Sequence, residues 1–125
     1  MAGTITHTYS FMPRDGVKKV VSAWVSDASG DVNSVDAVNV RGIIHRIVTN
    51  PDGTDAPTAN YDIVINDEDG IDVAAGLLAK RHTSNTEGVT PLVGNGTTTD
   101  KLVAVAGALD IVVSNAGNAK AGTVT

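Results

Sequence analysis

The strongest constraint on this chain is its punctuation. Turn-forming clusters recur at Pro13-Arg14-Asp15-Gly16, Asp27-Ala28-Ser29-Gly30-Asp31, Asn50-Pro51-Asp52-Gly53, Asn66-Asp67-Glu68-Asp69-Gly70 and Asn115-Ala116-Gly117-Asn118. Asp and Asn side chains bond their own backbone two residues on, Gly supplies positive φ, and Pro pre-sets φ for a turn. Between these clusters apolar and polar side chains alternate with period two, the pattern of half-buried strands. Many short strands with regular turns predict a mainly β chain, folded as an antiparallel β-sandwich or barrel.

Residues 3–11 read as a Thr-rich extended arm or first strand, with Ile5, His7 and Tyr9 on one side and Thr4, Thr6, Thr8 and Ser10 on the other. We take residues 1–16 as this N-terminal arm or strand and residues 17–125 as a single β domain. Residues 17–26 form a second strand. Val17, Val21, Ala23 and Val25 share one face, while Lys18, Val20, Ser22 and Trp24 share the other. Residues 38–49 are the longest strand candidate, with Val38, Val40, Ile44 and Val48 on one side and Ile43 and Ile47 on the opposite one. A strand apolar on both faces is either central in its fold or covered by a neighbouring chain. Residues 61–66 make a short strand burying Tyr61, Ile63 and Ile65, and residues 101–106 make another. Residues 109–114 and 122–125 then pair as a hairpin around Asn115, and the alternation still runs at Thr125, as in a chain that ends or continues inside a sheet.

One short helix is expected, over residues 72–81. Val73 and Leu77 are spaced i, i+4, Asp72 suits the N-cap, and Lys80 and Arg81 fall in the last turn, where cations complement the helix dipole. Gly76 weakens that helix by about 1 kcal/mol relative to Ala.

A chain of 125 residues fits one domain around one core. Aromatics are 3% of it, so Val, Ile, Leu and Ala must build that core. Cysteine is absent, which removes disulfides and thiolate metal sites. The formal charge is −5, and nine Lys and Arg residues are scattered along the sequence. That is not the clustered basic footprint that nucleic acid requires, so no nucleic-acid partner is expected. No apolar run approaches the roughly 20 residues that span a bilayer, so no membrane partner is expected either. Residues 1–10 alternate and lack a signal-peptide core.

The motifs that carry chemistry fail one by one. In Asp67-Glu68-Asp69-Gly70-Ile71-Asp72 an EF-hand reading puts Ile65 first and Gly76 last, so both end ligands are wrong. The bland reading is a solvated turn, with an irregular oxygen site for a cation as its rival. His7, His45 and His82 lie far apart without metal-ligand spacing. No G-x-S-x-G elbow singles out a Ser-His-Asp set. Gly94-Asn95-Gly96-Thr97 lacks the later residues of a phosphate loop and reads as a turn. We therefore assign no catalytic, cofactor-binding or metal residues and expect no enzyme. Trp24, the sole tryptophan, either anchors a partner contact on the face it shares with Val20 or fills the core under a loop. The two-faced run adds Ile43, His45 and Ile47. The candidate partner interface is thus Trp24, Val20, Ile43, His45 and Ile47.

Three stretches carry a family resemblance. They are Val17-Lys18-Lys19-Val20 through Trp24-Val25-Ser26-Asp27-Ala28-Ser29-Gly30; Pro57-Thr58-Ala59-Asn60-Tyr61-Asp62-Ile63-Val64-Ile65-Asn66-Asp67-Glu68-Asp69-Gly70-Ile71-Asp72-Val73; and Ser114-Asn115-Ala116-Gly117-Asn118-Ala119-Lys120-Ala121-Gly122-Thr123-Val124. Together they resemble a family of short, β-rich virion structural proteins of tailed bacteriophages. Within a particle, such proteins most resemble capsid decoration (cement) proteins, with head–tail connector, tail and fibre components as the alternatives. The resemblance implies a protein made in the host cytoplasm and carried on the head surface of the virion. Its implied partners are the major capsid protein or other virion proteins, with homo-oligomerisation as a trimer by analogy. A small glycan-binding β module is a further alternative, dependent on Trp24 as a platform.

Overall fold

The computed structural model describes residues 3–12, 17–33, 37–93 and 101–125. Ten strands lie among the described residues: β1 (Thr4–Met12), β2 (Val17–Val25), β3 (Val38–Ile43), β4 (Ile47–Pro51), β5 (Asp62–Asn66), β6 (Glu87–Val89), β7 (Leu92–Val93), β8 (Lys101–Leu102), β9 (Ala104–Ser114) and β10 (Ala121–Val124). They form a five-stranded sheet in the order β1-β2-β10-β4-β6, a three-stranded sheet in the order β3-β9-β5, and a β7-β8 ribbon. Every pairing is antiparallel. The chain is mainly β with two principal sheets. No barrel closes, because β1 and β6 stand at opposite ends of the larger sheet.

The N-terminal segment is not a free arm. It pairs with β2 over nine positions, from Thr4 opposite Val25 to Met12 opposite Val17, and buries Ile5. The turn expected at residues 13–16 lies outside the described residues. In β2 the inward face is Val20, Ser22 and Trp24, while Ala23 is exposed.

The 38–49 run is two strands rather than one. β3 belongs to the smaller sheet and β4 to the larger, and residues 44–46 carry the chain across. Gly42, at φ 143°, precedes that crossing, and the Ile44 amide donates to the Val103 carbonyl at 2.9 Å. Changing sheets also changes which parity points inward, so Val38 and Ile47 are both core residues. This explains the burial of Val38 and Ile47 without invoking a neighbour, while Ile43 stays exposed. The 109–114 and 122–125 segments are likewise not a hairpin. β9 is central in one sheet and β10 central in the other, with the Asn115 turn spanning the two.

Residues 72–81 form consecutive turns, not a helix. Ala75, Gly76 and Lys80 have φ of 55°, 74° and 54°, values at which a right-handed ladder cannot propagate. Bonds within the segment span three residues, as from Ala75 N to Asp72 O and from Leu77 N to Ala74 O, while Val73 N and Arg81 N donate to the carbonyls of Ile65 and Tyr61. The Asp72 carboxylate accepts instead from the amides of Ile65, Ala74 and Gly76. Leu78 is buried, and Leu77, expected on the helix's inner face, is 42% exposed.

Both sheets contribute to one core. Trp24 from the larger sheet meets Tyr61, beside β5, with ring centroids 5.7 Å apart and planes at 49°. Gly122 is opposite Trp24 in the β2–β10 register. A Cβ there would lie 2.8 Å from the indole Cζ2 and 3.1 Å from the Asn50 carbonyl oxygen. The turns that deliver these strands share one design. In residues 27–31 and 67–71 the first Asp carboxylate accepts from the amides two and four residues on, and its own amide donates to the fifth residue's carbonyl. The Asp31 amide in particular holds the Asp27 carboxyl below its ordinary value, and the amides of Asp55 and Thr54 do the same for Asp52.

Two outcomes follow from these contacts. Gly122→Val should lower stability by about 1–3 kcal/mol through overpacking against the indole, whereas Gly53→Ala, with nothing within 4 Å, should leave urea denaturation midpoints unchanged. Carboxyls depressed in the folded state stabilise it above the ordinary value of 3.8, and that contribution is lost as pH falls through the folded values. Tm should therefore drop on acidification below 3.8, and Asp27→Asn should flatten the slope; an identical slope in the variant would contradict the turn assignment.

Candidate functional site

The alternation of β2 turns Val20 and Ser22 towards the smaller sheet, and the crossing at residues 44–46 keeps β3 and β4 apart at one end of the molecule. Between them opens a groove of about 1020 Å³. Its floor is apolar: Val38, Ile65, Leu109 and Ile111 from the smaller sheet face Ile47 and Val124 from the larger. Its rim is basic. Lys18, Lys19, Arg41 and Arg46 line it, with His45 beside them, and no Asp or Glu is among the described residues that line it. The Lys18 ammonium donates to the Arg41 carbonyl at 3.1 Å, joining β2 to β3 across the mouth. An apolar cleft with convergent charged groups is the usual form of a binding site. These cations are scattered in sequence, and only the sheet crossing gathers them.

Four of the five candidate interface residues, Val20, Ile43, His45 and Ile47, line this groove. They are not equivalent. Ile43 is 55% exposed and His45 is exposed, whereas Ile47 is 4% exposed and forms part of the floor. Trp24 is 1% exposed and sits in the core against Tyr61, so its indole offers no surface to a partner or a sugar. Tyr61 is itself buried, which pushes its phenol above the ordinary 10.0.

Three of the four carboxylates in the acidic turn at residues 67–72 accept from backbone donors. Asp67 accepts from Asp69 and Ile71, Glu68 from the Ala108 amide at 3.2 Å, and Asp72 from three amides. Among the described residues no group of three or more His, Cys, Asp or Glu is placed to hold a metal ion. The imidazole Nδ1 of His82 accepts from the amides of Ser84 and Asn85, each at 3.0 Å, while His7 meets the Ser22 hydroxyl at 2.8 Å. The Gly94-Asn95-Gly96-Thr97 segment lies outside the described residues. No family model, no curated protein and no solved structure matches this chain.

The division of the groove into floor and rim is measurable. Ile47→Ala should cost about 2–4 kcal/mol in urea unfolding, as a buried large-to-small change does. Ile43→Ser should stay within about 0.5 kcal/mol of the parent chain, as an exposed site does.

Proposed function

We propose that this chain is a non-catalytic structural protein whose two sheets pack as a β-sandwich, and that it works by docking onto a partner assembly. The observation that carries this reading is the groove itself, a buried apolar floor under a rim of exposed cations, Lys18, Lys19, Arg41 and Arg46. The resemblance of the three quoted stretches to short phage virion proteins supplies the assembly: the outer surface of a tailed-phage head, decorated and reinforced. Binding the assembled shell and not its free subunits lowers the free energy of the shell by mass action. Several copies bridging neighbouring subunits add avidity without chemistry.

The chain should be found on purified particles in hundreds of copies, at the order a capsid lattice provides. Particles stripped of it should rupture at lower temperature or milder osmotic shock than complete ones. A count of about six to twelve copies would make it a ring or fibre component instead. Equal heat resistance with and without the protein would overturn the reinforcing role.

A further inference from the structure

The smaller sheet has two edge strands, β3 and β5, and they are closed in different ways. The outer edge of β5 is sealed by main-chain bonds from its own chain. Ile63 N donates to the Leu78 carbonyl, Val73 N to that of Ile65 and Arg81 N to that of Tyr61, just ahead of the strand, at 2.7–3.0 Å. The Asp72 carboxylate takes the Ile65 amide as well. The outer edge of β3 has no such cover. Among the described residues no strand pairs with it.

The parity of that edge is fixed by two kinds of bond. In an antiparallel ladder alternate residues turn both backbone groups to the same neighbour. The Ile44 amide donates to the Val103 carbonyl, so even-numbered residues of β3 face β9. Asn39, Arg41 and Ile43 therefore turn their N–H and C=O groups to the open side. Two side chains from the larger sheet meet them there. The Tyr9 hydroxyl accepts from the Asn39 amide at 3.4 Å, and the Lys18 ammonium donates to the Arg41 carbonyl at 3.1 Å. Both caps are the tips of long side chains, and an added strand supplies the same acceptor and donor from its backbone. Asn39, Arg41, Gly42 and Ile43 are exposed, Ile43 at 55%. A Cβ on Gly42 would meet nothing within 4 Å, so the space beside it is open.

We propose that the edge of β3 receives an extended segment of a partner protein, added antiparallel as a fourth strand of the smaller sheet in place of the Tyr9 and Lys18 tips. Charge names the partner's chemistry. Opposite charges facing each other across a ladder stabilise it, so an acidic residue belongs opposite Arg41. Exposed Ile43 takes an apolar residue opposite it, and the open space at Gly42 admits a large one. β3 holds no Asp or Glu, so a second copy of it brings no counter-charge for Arg41. This names the partner chemistry of the docking reading and rests on it.

The test is an NMR titration of the full chain with the peptide acetyl-Val-Leu-Glu-Val-Thr-amide, whose Glu falls opposite Arg41. Saturable shifts are expected at the amides of Asn39, Arg41 and Ile43. Replacing the peptide's Glu by Lys should weaken binding about tenfold, and Arg41→Glu should reverse that preference. N-methylation of the peptide's Glu, whose amide faces β3, should abolish binding. The same change at its Leu, whose amide points away, should leave binding intact. Absence of saturable binding, equal affinity for the Glu and Lys peptides, or equal tolerance of the two methyl groups would overturn the proposal. Shifts at the same residues on concentrating the protein alone would make a second copy the donor, and would overturn the partner assignment. Peptide binding by a protein absent from phage particles would leave the β3 edge standing and remove the virion reading. Presence on particles without peptide binding would do the opposite.

Discussion

β10 carries backbone hydrogen bonds on both edges, to β2 and to β4, although its partners lie far away in the chain. Ala121 opposite Val25 and Gly122 opposite Pro51 join the end of the chain to its first half. The larger sheet has no centre until that strand is in place. Such non-local pairing forms late, because loop closure must precede the contacts that offset it. Its fit is set by Gly122, where the side chain is a hydrogen because the Trp24 indole and the Asn50 carbonyl occupy the space of a Cβ. The indole in turn packs on Tyr61, so one glycine contact ties the two sheets together.

The same insertion creates the groove. β10 spaces β2 and β4 apart along Ser22–Val25 and Thr49–Pro51. A mouth edged by Lys18, Lys19, Arg41 and Arg46 opens towards the inner faces of both sheets, whose residues Val38, Ile47, Ile65, Leu109 and Ile111 remain buried. In a chain of net charge −5 this concentration of cations is local, and it gives the mouth a sign opposite to the whole. An apolar floor under a cationic mouth is the surface on which the docking proposed above would act.

Much of the local structure was legible in the sequence. The turn at Asp27 and the one at Asp67 follow from Asp and Gly at fixed spacing, and Tyr61, Ile63 and Ile65 follow from period two. The failures share a cause. Residues 38–49 look like one strand because local alternation cannot show a change of sheet, and the Asn115 turn looks like a hairpin for the same reason. Residues 72–81 have helical spacing, but Ala75 and Gly76 at positive φ and a carboxylate bonded to three amides win over propensity. The groove residues Val20, Ile43, His45 and Ile47 could be picked as apolar or odd on their strands. That Lys19 and Arg46 line one groove depends on β10 joining β2 to β4, and no local signal carries that. Trp24, which a surface role would have placed at the partner, is held in the core by Gly122 and Tyr61.

Amide hydrogen exchange, residue by residue, tests the central claim that β10 holds the larger sheet together. The Ser26 and Val48 amides, which bond to the carbonyls of Lys120 and Thr125 at either end of β10, should exchange as slowly as that of Val113 in β9, which bonds to Val32. Fast exchange at Ser26 and Val48 beside a protected Val113 would show that β10 is loosely held, and would contradict the account.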